Sequence, residues 1–223
     1  MIDAVVISDP HLGSYITRTD DLMMFLRGLP ETRVLVINGD LVDGSAVALP
    51  DAELAILDKL ADLRRCGQEI RYVRGNHDWV TAPRWADLIG VPVLDETIIE
   101  SGGKKFWVIH GHQWDTELTW FPWVTNVAIR TSRFMGHVSA PLARWCKGWE
   151  KKFRHLPSVV KAGAQAIYNR GGYDGIICGH THVAEQDGHW YINDGSFCEN
   201  AAPTACYVAN GTMELVKPLK PLA

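Results

Sequence analysis

Five short, predominantly apolar segments of this chain each end at residues that commonly bind metal ions. The segments are residues 5–8, 34–37, 70–73, 106–109 and 175–178, and they are typical of buried strands. The polar residues that follow them are, in order, Asp9 and His11, Asp40, Asn76 with His77 and Asp78, His110 with His112, and His180 with His182. In open α/β sheets, reactive groups gather beyond the carboxyl ends of the strands. The sequence therefore predicts one cluster of oxygen and imidazole donors, of the kind that forms a two-metal hydrolytic site.

Composition favours one compact domain over residues 1–223. A chain of 223 residues that is 47% hydrophobic is long enough to bury a single core. Its five cysteines are widely spaced and form no CxxC pair, which argues against a disulfide framework or a zinc ribbon. The start of the chain lacks the features of a signal peptide, and no uncharged apolar run reaches the roughly 18 residues of a membrane span. We expect a cytoplasmic protein that is neither secreted nor transmembrane.

The first half of the chain alternates between strand-like and helix-like sequence. We expect one helix to begin at Asp20 or Asp21 as its cap, and a second to run from residue 51 to Gly67. Such βαβ units predict parallel neighbouring strands with both faces of the sheet covered. Further strand-like segments occupy residues 97–100, 105–109, 190–192, 205–208 and 213–216. The first two of these predict a hairpin that begins a second or mixed sheet.

Residues 115–170 differ from the rest of the chain in charge and in aromatic content. Within 116–170, nine Lys or Arg stand against two Glu, a net charge of +7, whereas the remainder of the chain carries −11. Five of the nine Trp lie between Trp114 and Trp149. Proline and glycine interrupt otherwise helix-compatible sequence, and the clearest helix is expected from Ser158 to Arg170. We therefore predict that 115–170 is an inserted helical cap, basic and rich in Trp.

The ordered motifs of the chain resemble those of the calcineurin-like metallophosphoesterase superfamily. They are Asp9-x-His11, Gly39-Asp40, Gly75-Asn76-His77-Asp78, His110-Gly111-His112 and Gly179-His180-Thr181-His182. The resemblance extends over residues 9–182, most of the chain. It implies an α/β fold, a four-layer α/β/β/α sandwich of two mixed sheets flanked by helices, with the cap inserted into it.

The resemblance also implies a set of ligands for two divalent metal ions. Asp9, His11 and His182 would hold one ion, Asn76, His110 and His180 would hold the other, and Asp40 would bridge both. Carboxylate, amide and imidazole ligands without thiolate suit Mn²⁺, Fe²⁺, Zn²⁺ or Co²⁺, and the resemblance favours Mn²⁺. Two such ions about 3.5–4 Å apart clamp a phosphoryl group and lower the pKa of a bridging water. A metal-bridging hydroxide would then attack phosphorus in line.

Two catalytic residues follow from the third motif. His77, oriented by Asp78, would lie near the leaving oxygen as general acid or electrostatic stabiliser. His112 matches no obligatory ligand of the pattern, so it would either line the site or have a structural role. Asp-His pairs at the ends of strands are common in plain turns, and it is the ordered set that indicates chemistry.

The sequence between His110 and His180, together with Ser158 to Ser196, resembles bacterial UDP-2,3-diacylglucosamine diphosphatases and their relatives. This implies a nucleotide-linked diphosphate as substrate, such as UDP-2,3-diacylglucosamine, a precursor in lipid A biosynthesis. Basic side chains would offset the diphosphate charge, and Trp could accept a base, a sugar face or acyl chains. The candidate substrate-binding residues are His112, Trp114, Arg130, Arg133, Lys151, Lys152, Arg154 and Lys161. One departure leaves the substrate open, because those diphosphatases commonly have Arg where this chain has His77.

Other interpretations fit the same sequence. The fold could serve a generic phosphodiesterase, a nucleotidase or a phosphoprotein phosphatase, or a metal-bound scaffold that has lost catalysis. The Trp residues of the insertion could simply pack onto the core. Alternatively, Trp with Lys and Arg on short helices suits the surface of an anionic membrane, which would place the protein at the inner face. Nucleic acid is not expected as a partner, because the net charge of −4 is acidic and no known binding module is present.

Overall fold

The computed structural model describes residues 2–44, 46, 48–78, 82–115, 156–198 and 202–217. The strands are β1 (Ile2–Ile7), β2 (Thr32–Asn38), β3 (Glu69–Val73), β4 (Val93–Leu94), β5 (Thr97–Ser101), β6 (Lys104–Val108), β7 (Gly175–Cys178), β8 (Glu185–Asp187), β9 (Tyr191–Asn193), β10 (Ala205–Ala209) and β11 (Thr212–Val216). The helices are α1 (Thr19–Arg27), α2 (Asp51–Arg65), α3 (Ala82–Ile89) and α4 (Leu156–Tyr168), with a single 3₁₀ turn at His112–Trp114.

The strands form two mixed sheets. The first has six strands in the order β11-β10-β1-β2-β3-β4, and β1 to β4 are parallel. The second has five strands in the order β5-β6-β7-β9-β8, where β6, β7 and β9 are parallel and β5–β6 is the expected hairpin. The carboxyl ends of β1, β2 and β3 in one sheet and of β6 and β7 in the other carry the five motifs.

Side chains point alternately to the two faces of each strand, and the buried ones form three hydrophobic clusters. In β1, Val5 and Ile7 pack with α1, α2 and α3, whereas Ala4 and Val6 face the second sheet. On the outer side of the second sheet, Trp107 and its neighbours pack against α4. The described residues thus form helix, sheet, sheet and helix layers in that order. The predicted four-layer α/β/β/α sandwich is confirmed.

Local details differ from the sequence predictions. Helix α1 begins at Thr19 without a side-chain cap, so capping by Asp20 or Asp21 is wrong. Both aspartates lie inside the first turn, and Asp21 pairs with Arg18 at 2.5 Å instead. Helix α3 and the short strand β4 were not anticipated from sequence, because each is brief and lies beside a turn.

The predicted insertion lies largely outside the described residues. Its last helix is present as α4, which begins two residues earlier than expected and ends at Tyr168. Arg130, Arg133, Lys151, Lys152 and Arg154 fall outside the described residues, and a separate cap at 115–170 stays a prediction. None of the described helices is long and apolar enough to cross a membrane. The four described cysteines are free thiols.

Candidate metal centre

Backbone strain is concentrated at the ends of the motif strands. Six described residues other than glycine have positive φ angles, and five of them are predicted ligands: Asp9, His11, Asp40, His180 and His182, with φ between 50° and 68°. Such left-handed conformations cost of order 1–3 kcal/mol each and persist where the surrounding structure imposes them. Here backbone hydrogen bonds between loops hold these conformations. One example is the Asp9 N–H, which donates to the Gly39 carbonyl at 3.1 Å.

Two motif glycines allow side chains of the site to approach the backbone. A Cβ at Gly39 would lie 2.2 Å from His110 Nδ1, and one at Gly75 would lie 2.1 Å from Asp40 Oδ1. Either distance is far below van der Waals contact, so a larger residue would displace the ligand. Glycine at these positions therefore serves the packing of the site.

Asp9, His11 and His182 converge as predicted for the first ion. His182 Nε2 lies 3.2 Å from Asp9 Oδ1 and 3.2 Å from His11 Nε2, and His11 Nε2 lies 3.6 Å from Asp9 Oδ1. Ligand atoms that each lie about 2.0–2.2 Å from one cation are roughly 3–3.6 Å from one another. Asp9 Oδ1 is buried and has no hydrogen-bond partner among the described residues. These three residues fit a shared cation.

Asp40 stands between the two predicted ligand groups. Its Oδ2 lies 3.6 Å from His11 Nε2 and 3.6 Å from His110 Nε2, while its Oδ1 accepts the His77 backbone N–H at 2.8 Å. One carboxylate oxygen is thus equally close to a ligand atom from each group. That placement fits the predicted bridging role.

His110 and Asn76 present atoms suited to a second ion. The His110 Nδ1–H donates to the Asn38 carbonyl at 2.7 Å, which leaves Nε2 as the nitrogen available to a cation. His110 Nε2 and Asn76 Oδ1 are both buried and without a hydrogen-bond partner among the described residues. The His180 ring lies beside His110, with 5.3 Å between centroids. Orphaned buried polar atoms are rare in folded proteins, and a cation would satisfy both.

The ionisable groups of the site shift one another strongly. Burial alone would raise the pKa of Asp9 and Asp40, but nearby imidazoles, above all His110, outweigh burial and hold both pKa values well below the usual range. Burial disfavours the charged His110 ring, yet the two carboxylates raise its pKa to about 10. Two carboxylates that favour a protonated imidazole in this way would also favour a cation, which would take the place of the proton.

The hydrogen bonds of Asp78 go to groups other than the His77 ring, so these contacts do not support the predicted orientation of His77 by Asp78. Asp78 Oδ2 accepts the backbone N–H groups of Asp40 at 2.6 Å and Gly75 at 2.8 Å, and Oδ1 accepts the Tyr72 hydroxyl at 2.5 Å. These three donors engage both oxygens of the fully buried carboxylate. Burial and the nearby Asp40 raise the pKa of Asp78 to about 6. Asp78 holds the β2 and β3 loops together beneath Asp40.

Asp43, which sequence reasoning missed, is a second carboxylate near His77. The first is Asp40, which forms a candidate metal-binding group with His11 and His77, with ligand atoms within 4.8 Å of one another. Asp43 Oδ1 lies 4.0 Å from His77 Nδ1, and Asp43 is buried at 4% exposure. The His77 ring packs edge-on against His11, with centroids 4.8 Å apart, and 23% of its side chain is exposed. A signal was available, since Asp43 follows Asp40 by three residues, but a second Asp in a turn carries little information alone.

Three predicted substrate-binding residues lie in the described part of the chain. His112 borders the site, 5.4 Å from His110 between ring centroids, and burial lowers its pKa to about 3. Trp114 packs against α4, where a Cβ at Gly163 would lie 2.3 Å from the indole. Lys161 on α4 pairs with Glu185 at 2.6 Å and with Asp187 at 2.9 Å. Substrate contacts by these residues stay predictions.

Two further residues reach the histidines of the last motif. Asp115 Oδ2 lies 3.2 Å from His180 Nε2, and Cys198 Sγ lies 3.5 Å from His182 Nδ1. Both partners were missed, because each is distant in sequence from the histidine that it contacts. Cys198 with His11 and His182 also forms one of the candidate metal-binding groups, whose ligand atoms lie within 4.8 Å of one another.

Sequence comparisons agree with this geometry. A family model described as calcineurin-like phosphoesterase matches residues 3–184. A UDP-2,3-diacylglucosamine hydrolase of Stenotrophomonas maltophilia is 29% identical over 203 residues, covering 79% of this chain and 80% of its own. An enzyme of the same name from Aeromonas salmonicida is 28% identical over 206 residues, covering 81% of this chain and 78% of its own.

Two solved structures share the fold. The E. coli phosphoesterase Yfce aligns with a TM-score of 0.54 at 18% identity, covering 99% of this chain and 96% of its own. An archaeal phosphodiesterase aligns with a TM-score of 0.51 at 14% identity, covering 96% and 98%. At these identities the likeness concerns the architecture.

Proposed function

Because this chain belongs to the calcineurin-like phosphoesterase family and is therefore a hydrolase that acts on phosphoester bonds, we propose a dinuclear metal-dependent mechanism. We further infer a nucleotide-linked diphosphate such as UDP-2,3-diacylglucosamine as the substrate.

The observation that carries the dinuclear proposal is the position of Asp40 Oδ2, 3.6 Å from a nitrogen of each ligand group. Asp9, His11 and His182 would complete one site, and Asn76, His110 and His180 the other. When bound, two divalent cations would offset phosphoryl charge and make a water molecule nucleophilic at neutral pH. Oxygen and imidazole donors suit Mn²⁺, which we favour, as well as Fe²⁺, Zn²⁺ and Co²⁺.

His77 is the proposed group for the leaving oxygen. It belongs to neither predicted ligand set, its ring touches that of His11, and part of its side chain remains open to solvent. Its ring nitrogen nevertheless lies close enough to His11 and Asp40 to complete a candidate metal-binding group, so the test of His77 must include a measurement of bound metal. Asp43, 4.0 Å from Nδ1, would favour a ring orientation in which Nε2 points away toward substrate. Asp78 would contribute indirectly, because it holds the backbone of Asp40.

The substrate proposal draws on the relatives and on the charge of the insertion. Curated relatives at 28–29% identity carry the name UDP-2,3-diacylglucosamine hydrolase. The net charge of +7 within 116–170 would complement a diphosphate. His112, which borders the ligand cluster, would be the nearest additional contact. A lipid-linked substrate would bring the protein to an anionic membrane surface, and failure to co-sediment with anionic vesicles at low salt would contradict that location.

The test is a substrate panel with purified protein loaded with Mn²⁺. It contains UDP-2,3-diacylglucosamine, other UDP-sugars, a bis-aryl phosphate, cyclic nucleotides and a phosphopeptide. We expect the highest kcat/KM for UDP-2,3-diacylglucosamine, two bound ions per chain, and little turnover by Asp40→Asn. Turnover of simple diesters or phosphopeptides alone would contradict the substrate proposal. If the metal-loaded protein hydrolysed no compound of the panel, a metal-bound scaffold without catalysis would be favoured.

A further inference from the structure

The two histidines of the Gly179-His180-Thr181-His182 motif contact different partners through different ring nitrogens. His180 uses Nε2, which lies 3.2 Å from Asp115 Oδ2. His182 uses Nδ1, which lies 3.5 Å from Cys198 Sγ, while its Nε2 faces Asp9 and His11. The two rings therefore present opposite nitrogens to their outer partners. The chemistry of those partners also differs, since one is a carboxylate and the other a thiol.

We propose that Asp115 is a positioning residue that fixes the tautomer and orientation of His180. An ionised carboxylate can only accept a hydrogen bond, so its partner Nε2 must carry the proton. The lone pair of His180 then resides on Nδ1, which becomes the nitrogen available to a cation. A carboxylate behind a ligand histidine also raises its basicity and restricts ring rotation. This inference rests on the proposed dinuclear site, in which His180 belongs to the ion held by His110 and Asn76.

Burial and packing hold Asp115 in place behind His180. Asp115 is 6% exposed and directly follows the 3₁₀ turn, where its backbone N–H bonds to the His112 carbonyl at 3.0 Å. The preceding Trp114 lies against the backbone of α4 at Gly163, where a Cβ would be 2.3 Å from the indole. The absence of a side chain at Gly163 is what allows this approach. Trp114 thereby anchors the turn that presents Asp115.

The partner of His182 supplies an internal comparison. A thiol is a weak hydrogen-bond donor and acceptor, so Cys198 should restrain His182 much less than a carboxylate restrains His180. His182 is additionally surrounded by Asp9 and His11, whose ligand atoms lie 3.2 Å from its Nε2. Cys198 lies close enough to His11 and His182 to form a candidate metal-binding group. It approaches Nδ1 of His182, however, and not the Nε2 at which Asp9 and His11 converge. Loss of Cys198 should therefore have a small effect on an ion held at Nε2. Loss of Asp115 should have a large effect on the second ion.

The experiment compares Asp115→Ala, Asp115→Asn and Cys198→Ala with the wild-type chain. Metal titration by calorimetry gives the number of ions and each affinity. We expect Asp115→Ala to weaken one ion about 10–100-fold and leave the other unchanged. Asp115→Asn should lie between, because the amide oxygen still accepts from Nε2–H, and Cys198→Ala should change either affinity by less than about threefold, since thiol hydrogen bonds are weak.

A second readout does not depend on metal. Nitrogen-15 NMR of the chelated protein distinguishes protonated from unprotonated ring nitrogens, and the His180 signals are assigned by their loss in His180→Gln. We expect the wild-type His180 to be protonated at Nε2 and Asp115→Ala to show a mixture of tautomers. Thermal unfolding in chelator records any loss of stability separately.

Several results would overturn the proposal. One is an unchanged His180 tautomer in Asp115→Ala. Two others would indicate a merely structural role: an equal loss of affinity for both ions, or lower thermal stability with both affinities unchanged. If Asp115→Ala does not fold, the same criteria apply to Asp115→Asn. Wild-type protein that binds fewer than two ions would instead contradict the dinuclear site, and the tautomer measurement would still decide the role of Asp115.

Discussion

Replacement of Gly39 by alanine should damage the metal centre more than it damages the fold. Gly39 has φ = 92°, and an added Cβ would lie 2.2 Å from His110 Nδ1. The ring must retreat by about 1 Å to reach the 3.4 Å at which ordinary contact begins. That movement should break the bond from His110 Nδ1 to the Asn38 carbonyl, which is 2.7 Å long, and should turn Nε2 away from Asp40.

Gly67 offers a matched control for the backbone part of this effect. Its φ is 95°, almost the same, but a Cβ there would meet nothing within 4 Å. An alanine in the left-handed region costs about 1–2 kcal/mol, partly offset by roughly 0.4–1 kcal/mol from a less flexible unfolded chain. Gly67→Ala should therefore lower the free energy of unfolding by about 1 kcal/mol.

Gly39→Ala adds two losses to that strain. Forced repacking costs about 1–3 kcal/mol and a buried hydrogen bond about 1 kcal/mol, so we expect a total near 3–5 kcal/mol. Urea unfolding in chelator measures both variants, and metal titration should show a loss of affinity for Gly39→Ala only. Gly75 is not in the left-handed region, but a Cβ there would lie 2.1 Å from Asp40 Oδ1. Gly75→Ala should therefore also lower metal affinity. Equal stability and equal metal affinity of Gly39→Ala and Gly67→Ala would refute this reasoning.

Three other predictions follow from the site. His77→Ala should retain both ions but lose about 10²-fold or more in kcat, as expected for a removed general acid, and parallel loss of metal by elemental analysis would make His77 a ligand instead. Tyr72→Phe should lower the free energy of unfolding by about 1.5–3 kcal/mol, because the Asp78 carboxylate loses a buried donor; a neutral result in urea would contradict that bond. Gly163→Ala should displace Trp114 and, like Asp115→Ala, lower metal affinity. A metal affinity equal to that of the wild-type chain in calorimetric titration would contradict this.

The convergence of the candidate ligands was predictable because each of them lies within four residues of the end of a strand. Strand register and the parallel order of β1, β2 and β3 then bring Asp9, Asp40 and Asn76 to one edge without further information. Cover on both faces of the first sheet was also predictable from the sequence, whereas the four-layer order was implied by the resemblance to the superfamily. Apolar residues on both faces of these strands require cover on both sides, which the second sheet and the helices supply.

Partners of the ligands could not be predicted in the same way. The His77–Asp78 dyad was predicted from the third motif, but neighbouring residues after a strand point in different directions. Asp78 turns into the core, where Tyr72, Gly75 and Asp40 supply donors that only the folded chain assembles. Asp115 lies 65 residues from His180, and no local pattern connects the two.

The hydrogen bonds between loops explain how the site can be formed before an ion arrives. Asp9 accepts the His180 backbone N–H through Oδ2 at 2.9 Å, and Asp40 accepts that of His77 through Oδ1 at 2.8 Å. Each carboxylate therefore uses one oxygen to join loops and keeps the other, Oδ1 of Asp9 and Oδ2 of Asp40, directed at the imidazoles. Because the joining oxygens do not depend on metal, the strained ligand backbones can be maintained by the protein itself. A cation would then bind to ligands that are already ordered, which would lower the entropy lost on binding.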